Sequence, residues 1–392
     1  MDTALLQQAV ARHRDEIVAL RRDLHQHAEV SGEEERTARV VAERLRQAGL
    51  RVRTGVGGHG VVALLGEGRP CVLLRADMDA LPLREETGLP WASINDGATH
   101  ACGHDFHTAW LVGTALALTD IGLPRGSVKF VFQPAEEAIA GAAGVIADGA
   151  LDDPAPTACC GAHVSPELPA GQIALRPGPN LAAADRFTIT ITGAGTHGAH
   201  PHKGRDPVPV AAEIILALQT LVTRRLDPLS SAVVSVCRMN AGSAFNIIPA
   251  QAVLEGTVRT LQPADRDLIE QALGELAAGI AAAHGCTGAL EYARGVPATI
   301  TDPDVTALAR RALEHVLPDG QVRTQEQLSM GAEDFSLFLE RCPGALLWVG
   351  SADPGGAPGQ PLHHPGFIGH EDCLAAAVLA LSAIALEALA TD

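Results

Sequence analysis

A stretch of nine residues, 99–107, concentrates side chains that bind metal ions. It contains three histidines, one cysteine and one aspartate. Cys102 and His104 are two positions apart, so both side chains lie on one face if the segment is extended. Thiolate sulfur and imidazole nitrogen are the ligands that zinc and related metals prefer. A buried cysteine beside solvent-facing histidines gives the same short pattern, so a metal site is indicated only if the chain supplies further ligands.

Further candidate ligands follow predicted strands or lie in loops. Glu136 and Glu137 come directly after an apolar run, where two carboxylates are costly to bury unless they are paired or bound to a metal. Neighbouring side chains point to different sides, so one carboxylate can bind a metal while the other contacts a water beside it. His163 follows another apolar run, and His363 and His364 lie in a later loop. Together with Cys102 and His104 these residues could hold two cations about 3.5–4 Å apart.

Two aspartates follow the predicted strand 71–75. An apolar strand that runs into Asp77 and Asp79 places both carboxylates at its carboxyl end, where open α/β sheets carry their sites. Asp77 could orient a metal-bound histidine through a hydrogen bond. Turn chemistry explains both aspartates equally well.

The first 50 residues predict two helices. In the first, at 3–28, the sequence favours solvated or capping positions for Asp23, His25 and His27. The second helix extends to about residue 48, and Ser31 with Glu34 three residues later forms a capping-box pattern at its start.

The later strands and helices predict an α/β fold with an inserted domain. Residues 184–296 follow the order β-α-β-β-α-β of a ferredoxin-like sandwich, whose exposed edge strands could pair with a second copy of the chain. The predicted organisation is a doubly wound catalytic domain, 1–183 and 297–392, interrupted by an α+β dimerisation or lid domain at 184–296.

Composition excludes several classes of protein. The 392 residues are 47% hydrophobic and carry a net charge of −17, which argues against nucleic acid or an anionic membrane surface as partner. The eight cysteines are scattered, so a disulfide framework is not expected. The N-terminal residues lack the pattern of a signal peptide, and the apolar run 374–390 is expected to be a core helix. The expected location is cytoplasmic.

The chain resembles the metal-dependent aminoacylase and carboxypeptidase family, in its branch of N-acyl-amino-acid amidohydrolases. That branch includes hippurate hydrolases, indoleacetyl-amino-acid hydrolases and N-acetyl-diaminopimelate deacetylases. The matching motifs run in order over nearly the whole chain. They lie at residues 75–82, 100–105, 133–137, 161–164, 195–202, 246–249, 256–260, 330–335 and 362–365.

The resemblance implies a binuclear site with two divalent metal ions per subunit. Zinc is the first expectation, and manganese, cobalt or nickel could bind the same ligands. The implied ligands are Cys102 as the bridging residue, His104, Glu137, His163 and His363. His364 ranks second to His363 as the C-terminal ligand.

The resemblance also implies catalytic and substrate-binding residues. Glu136 matches the general base, and His197 matches a histidine that enters the partner's active site in a homodimer and stabilises the oxyanion. Asn246 and Arg259 match substrate contacts, although Arg75 and Arg238 compete for the substrate carboxylate. His107, His200 and His202 receive no role and are expected at the surface or at helix ends.

The expected reaction is hydrolysis of the amide bond of a small N-acyl or N-aroyl amino acid to a carboxylic acid and a free amino acid. Activity on small peptides, as in a carboxypeptidase, is an alternative. A second alternative makes Cys102 a nucleophile activated by His104 or His163 without a metal. A third is a catalytically silent protein that binds metals or conjugates.

Overall fold

The computed structural model describes residues 2–355 and 359–390. This part of the chain divides into two compact units. Unit 1 comprises residues 2–178, 300–327 and 337–390 of the described chain, and unit 2 comprises residues 179–299 and 328–336. The predicted domain boundaries stay a prediction, and the segment 328–336 groups with unit 2 rather than with the residues on either side of it.

The helices agree in number and order with the apolar periodicity, with ends that differ by a few residues. In the described chain they are α1 (Thr3–Gln26), α2 (Glu35–Gln47), α3 (His104–Ile121), α4 (Gly141–Ala147), α5 (Pro207–Arg224), α6 (Pro263–Ala283), α7 (Pro303–Val316), α8 (Ser336–Leu339) and α9 (Asp372–Ala390).

The strands of the described chain fall into two groups along the sequence. Those before unit 2 and at its start are β1 (Arg51–Val56), β2 (Gly60–Gly66), β3 (Cys71–Asp77), β4 (Ser127–Gln133), β5 (Ala158–Pro169), β6 (Ile173–Leu175) and β7 (Gly178–Leu181). The later strands are β8 (Ala183–Thr192), β9 (Thr196–His197), β10 (Ala232–Ala241), β11 (Ile247–Ile248), β12 (Gln251–Thr260), β13 (Thr287–Arg294), β14 (Thr299–Thr301), β15 (Val322–Thr324) and β16 (Gly344–Ala352).

Unit 1 is built on one mixed sheet with the strand order β1-β2-β4-β3-β5-β16-β6-β15. The central strands β4, β3, β5 and β16 run parallel, and β1 and β2 add an antiparallel edge. Helices α1, α3 and α9 pack against one another and join the same apolar core. Because parallel strands end at one edge of the sheet, the residues that follow β3 and β4 are brought beside the end of β5.

Unit 2 has a four-stranded antiparallel sheet with the order β10-β12-β8-β13. Helices α5 and α6 share an apolar core with this sheet. The order of strands and helices is that of a ferredoxin-like sandwich, as the sequence predicts, and β10 and β13 are its edges. The short pair of β9 and β11 also belongs to this unit.

The predicted capping box at the start of α2 is wrong. The helix begins at Glu35, and Glu34 makes no side-chain cap. Glu29 provides the cap instead: its carboxylate accepts hydrogen bonds from the backbone N–H groups of Arg36 at 3.0 Å and Thr37 at 2.7 Å. Ser31 is therefore free for contacts elsewhere in unit 1.

Two helices of the described chain, α5 and α9, are long and apolar enough to cross a membrane by length and composition alone. This is weak evidence, because core helices have the same composition. The apolar window of α9 is 67% buried inside the protein, and its residues line the main core. The expectation of a core helix at 374–390 therefore agrees with its position.

Candidate metal centre

The five side chains predicted as metal ligands lie together in unit 1. Each is supplied by a loop, a strand or the first turn of a helix, rather than by a helix interior. They are Cys102 in the loop before α3, His104 at the start of α3, Glu137 after β4, His163 in β5 and His363 in the loop before α9.

Their ligand atoms form two groups that share the sulfur of Cys102. His104 and His163 complete one group, His363 and Glu137 complete the other, and the atoms of each group lie within 4.8 Å of one another. Cys102 Sγ is 3.6 Å from His163 Nε2. Glu137 Oε1 is 3.9 Å from His104 Nε2 and 3.5 Å from His363 Nε2. This arrangement suits two cations that share one thiolate.

Two adjacent histidines in the loop before α9, His363 and His364, make different contacts. His363 adopts a left-handed conformation with φ of 65°, and its N–H donates to the carbonyl of Ala101 at 2.9 Å. This bond ties the loop to the segment that carries Cys102. His364 is exposed, and its Nδ1 accepts a hydrogen bond from Gly366 at 3.0 Å. Only His363 of this pair belongs to a candidate metal group in the described chain.

Hydrogen bonds orient two of the imidazole rings. His163 Nδ1 lies 2.8 Å from the carbonyl oxygen of Val164, so this nitrogen carries a proton and Nε2 presents a lone pair to Cys102. His104 Nδ1 lies 3.3 Å from Asp79 Oδ1, and its Nε2 faces Glu137. Both rings are therefore arranged as metal ligands whose far nitrogen is held by a hydrogen bond.

The donor atoms fit divalent cations. His104 Nε2 and Glu137 Oε1 are buried with no hydrogen-bond partner in the described chain, although they face each other across the site. Such buried groups are costly unless something satisfies them. Burial also raises the pKa of the Cys102 thiol well above its ordinary value. The sulfur therefore needs a nearby cation to become a thiolate.

The carboxylates around His104 counteract its burial. Burial alone lowers the pKa of this imidazole, but Asp77 and Asp79 together with Cys102 raise it well above its ordinary value. A bound cation would take the place of that proton. By contrast, burial lowers the pKa of His100, His107 and His163 to about 4, so these three rings are neutral near pH 7.

Of the two positions expected for His107, the surface or a helix end, the structure shows the helix end and contradicts the surface. His107 lies in the first turn of α3 but is fully buried. Its Nδ1 is 2.5 Å from Asp77 Oδ1, and its Nε2 accepts the N–H of Val164 at 3.0 Å. The ring stacks on Trp110 with centroids 4.7 Å apart. His107 thus links β3 to the residue that follows His163.

The two aspartates after β3 support different histidines. Asp77 contacts His107 directly and lies 3.8 Å from His104, so it orients a residue behind the site. Asp79 is the nearer carboxylate to His104, and it also accepts the N–H of Glu137 at 2.9 Å and the hydroxyl of Ser31 at 2.6 Å. Both aspartates therefore act mainly as hydrogen-bond partners of the histidines and of Glu137, rather than as residues that form a turn.

Glu136 is buried beside the same ligands. It is 7% exposed, and one of its carboxylate oxygens forms a further close group with His104 and Glu137. The preceding Ala135 has a φ of 53°, a backbone conformation that residues other than glycine adopt at a cost. A carboxylate here can accept a proton from a group held between the two ligand clusters.

The solvated position expected for His25 is also wrong. Its ring is buried, with Nδ1 2.8 Å from Asp105 Oδ2 and Nε2 3.2 Å from Glu85 Oε1. Arg21 Nε is 2.8 Å from the same Asp105 oxygen. This ion-pair network fixes Asp105, the residue next to His104. The sequence does not indicate this network, because Glu85 and Asp105 lie far along the chain from Arg21 and His25.

The predicted substrate and oxyanion residues belong to unit 2. His197 is exposed on β9, and Gly198 N donates to the carbonyl of Asn246 at 2.8 Å, so these two segments adjoin. Arg259 is half-buried on β12. Arg238 pairs with Glu255 at 3.2 Å. The third arginine considered for the substrate carboxylate, Arg75, lies in unit 1, where it is buried and engaged with Asp77 at 2.6 Å.

Comparison with known proteins gives the family. The sequence matches the profile of Peptidase family M20/M25/M40 over residues 73–387. The chain belongs to this family. N-acetylcysteine deacetylase of Bacillus subtilis (strain 168) is 37% identical over 383 residues, which cover 96% of this chain and 97% of the relative. An IAA-amino acid hydrolase of Arabidopsis thaliana is 37% identical over 348 residues, 86% of this chain and 77% of the relative.

A solved structure supports the same family at the level of the fold. It is described as a dinuclear metal-binding peptidase of the M20 family from Bacillus subtilis. Its TM-score is 0.86 at 36% sequence identity, and the match covers 97% of this chain and 100% of that chain. The predicted family and the predicted α/β fold are thereby confirmed.

Proposed function

We propose that this M20-family protein is a metal-dependent amidohydrolase that cleaves the amide bond of small N-acyl amino acids. The observation that carries the proposal is the pair of ligand groups sharing Cys102, with the buried Glu136 beside them. The names of the two relatives, a deacetylase of N-acetylcysteine and a hydrolase of amino acid conjugates, support this substrate class.

The proposed metal ligands are those that the two groups contain. Cys102, His104 and His163 would hold one divalent ion, and Cys102, Glu137 and His363 the other. When bound, the ions supply Lewis acidity and lower the pKa of water. The mixed sulfur, imidazole and carboxylate donors favour zinc, and manganese, cobalt or nickel suit the same set.

Glu136 is the proposed general base. It takes the proton of the attacking water, and the protonated carboxyl then donates this proton to the leaving amine. His197 is proposed to stabilise the oxyanion from the partner chain of a homodimer. Asn246 and Arg259 are proposed to bind the substrate, with Arg259 gripping its carboxylate.

Unit 2 is proposed as the dimerisation and lid domain. Its edge strand β10 carries exposed residues from Cys237 to Ala241, which suits pairing with a second copy. The proposed location is cytoplasmic, which agrees with eight free cysteines in the described chain. Small-angle scattering with and without an inhibitor tests lid closure, and unchanged curves count against it.

The cysteine-hydrolase alternative has a weak chemical basis here. Cys102 Sγ and His163 Nε2 are close enough for a nucleophile and base. However, burial raises the pKa of the thiol and lowers the pKa of His163 to about 4. A thiol that holds its proton beside a weak base is a poor nucleophile. Chelator treatment distinguishes the two mechanisms, since a cysteine hydrolase keeps its activity.

The test of the proposed function is the substitution Glu136→Gln. We expect about 10²–10⁴-fold lower kcat on N-acetyl and N-benzoyl amino acids, the usual contribution of a general base, while metal content stays at that of the unsubstituted protein. Glu67→Gln is the matched control, because Glu67 is exposed in the turn between β2 and β3. This turn precedes β3, whereas Glu136 follows the parallel strand β4, so the two residues lie at opposite ends of these strands. Near-normal turnover of the Glu136→Gln variant refutes the assignment of the base. No hydrolysis by the unsubstituted protein with any of the four metals favours a silent binding protein.

A further inference from the structure

The loop that carries Glu136 is held in an unfavourable backbone conformation. Ala135 has a φ of 53°, where an alanine side chain crowds its own backbone and glycine would not. Within the loop, the carbonyl of Ala135 accepts the N–H groups of Ala140 at 3.3 Å and Gly141 at 3.1 Å. These bonds fix one side of the residue, and its N–H must be fixed by another segment.

That segment is the turn before α2. Glu34 Oε1 accepts the N–H of Ala135 at 2.9 Å and the N–H of Gly32 at 2.9 Å. The Glu34 side chain is fully buried, and its second oxygen, Oε2, has no hydrogen-bond partner in the described chain. Burying a carboxylate in this way is costly, and it does not cap α2. The contact with Ala135 is the interaction that connects Glu34 to the site.

The same turn reaches the site through a second residue. Ser31 donates its hydroxyl to Asp79 Oδ2 at 2.6 Å, and this oxygen also accepts the N–H of Glu137. The loop is therefore held on both sides of Glu136: Glu34 of the turn holds the residue before it, and Asp79, which Ser31 of the turn contacts, holds the residue after it. Because the residues on both sides are held by hydrogen bonds, the backbone of Glu136 has little freedom to rotate.

We propose that Glu34 is a positioning residue, which holds Ala135 in its left-handed conformation and thereby aims the Glu136 carboxylate at the reacting atoms. This inference rests on the proposed role of Glu136 as general base. Glu34 itself touches no substrate. Without it, Ala135 relaxes toward a negative φ, and the direction of the following residue changes with it.

The experiment compares Glu34→Ala, Glu34→Gln, Ala135→Gly and the double variant Glu34→Ala/Ala135→Gly, with kcat, KM, metal content and Tm measured for each. Removing a hydrogen bond to a charged acceptor predicts about 10–100-fold lower kcat for Glu34→Ala, with KM within about threefold and metal content unchanged. Gln keeps an oxygen acceptor, so Glu34→Gln retains most of the turnover. Glu33→Ala is the matched control, since the neighbouring Glu33 is exposed.

The decisive readout is rescue by glycine. Glycine adopts a positive φ without the crowding that alanine suffers, so the double variant should regain about fivefold or more in kcat over Glu34→Ala. A residue that only stabilises the fold predicts that glycine changes Tm and leaves the kcat of the folded protein unaltered, because relief of the crowding at a positive φ then acts on stability alone. Ala135→Val, tested with Glu34 intact, should lower kcat since a β-branched residue strongly disfavours this conformation.

Several results overturn the proposal. It is wrong if Glu34→Ala keeps kcat within threefold of the control, or if kcat falls and the double variant shows no recovery. If Glu34→Ala does not fold, unaltered kcat in Ala135→Val overturns it instead. Glu136→Gln measured in parallel separates the two hypotheses. Full activity of Glu136→Gln refutes the proposed base, whereas loss of activity there with a normal Glu34→Ala variant refutes only the positioning role.

Discussion

His107 connects the strand end at Asp77 to the backbone beside His163, and its replacement tests whether that link supports the metal centre. The substitution His107→Phe keeps an aromatic ring against Trp110 and removes both ring nitrogens. It leaves Val164 N–H without its acceptor and Asp77 Oδ1 without its nearest donor. Both orphaned groups stay buried, because β3 is buried along its whole length and Val164 is fully buried.

The size of the effect follows from those two groups. Each buried partner left without a hydrogen bond costs about 1–3 kcal/mol, and a charged partner costs more. Asp77 keeps its bond to Arg75 on the other oxygen, which limits its share. The sum is about 3–5 kcal/mol, which lowers the Tm of the metal-free protein by about 6–20 °C for a domain of this size.

The same variant should weaken metal binding on the His163 side of the site. Replacing a residue that orients a ligand usually costs about 10–100-fold in metal affinity. Thermal unfolding of the metal-free protein and metal titration against a competing chelator measure the two effects. His59→Phe is the control, since His59 is a half-buried histidine of unit 1 that belongs to no candidate metal group of the described chain. His107→Asn, whose shorter amide can donate to Asp77 but does not span the distance to the N–H of Val164 as well, should fall between the two. If His107→Phe matches His59→Phe in both Tm and metal affinity, the link contributes nothing and the reasoning fails.

Three further predictions concern the ligands and pH. Cys102→Ala removes the sulfur common to both groups, whereas His163→Ala removes a ligand from one group. The metal content of Cys102→Ala, measured by plasma mass spectrometry, should therefore be well below that of His163→Ala. Equal metal contents contradict the shared ligand. His363→Ala should lose metal and activity whereas His364→Ala keeps both, and the reverse outcome would exchange their roles. The three buried histidines with pKa near 4 have folded values below the unfolded value of about 6.5. Their contribution to the stability of the metal-free protein is therefore complete above about pH 6.5 and lost as the pH falls toward 4, so a Tm that is flat over this range refutes their neutral assignment.

The sequence predicted the framework of this protein well, because the signals for it are local. Alternation and helical periodicity identify the strands and helices, and the β-α-β-β-α-β order of unit 2 is read along the chain. The polar residues at strand ends identify the candidate ligands, since parallel strands end at one edge. The pairing of these ligands into two groups could not be predicted, because it depends on loop paths that bring His363 beside Glu137.

The residues behind the ligands were missed for a different reason. Ser31 and Glu34 match a capping box, and the local pattern was preferred over contacts with Asp79 and Ala135 that lie far away in sequence. His107 follows Cys102 and His104, whose two-residue spacing is the stronger signal for metal ligands, and no spacing pattern that includes His107 indicates that it is buried. One signal was available: a helix that is apolar over most of its length, as α3 is from Phe106 to Leu118, is buried on most of its sides. A histidine in its first turn is then buried too and needs partners.

The charges of the site explain why such partners are needed. Asp77, Asp79, Glu136 and Glu137 converge beside the Cys102 thiol, and Arg75 is the buried guanidinium paired with the first of them. In the metal-free protein, protons take up part of the imbalance, as the raised pKa values of His104 and Cys102 indicate. Cation binding replaces these protons, so it must become tighter as the pH rises and must release protons when it occurs. In the metal-free protein Asp79 already contacts His104 and Glu137, and His107 already holds the residue after His163, so cations would enter a site whose ligand segments are partly fixed beforehand.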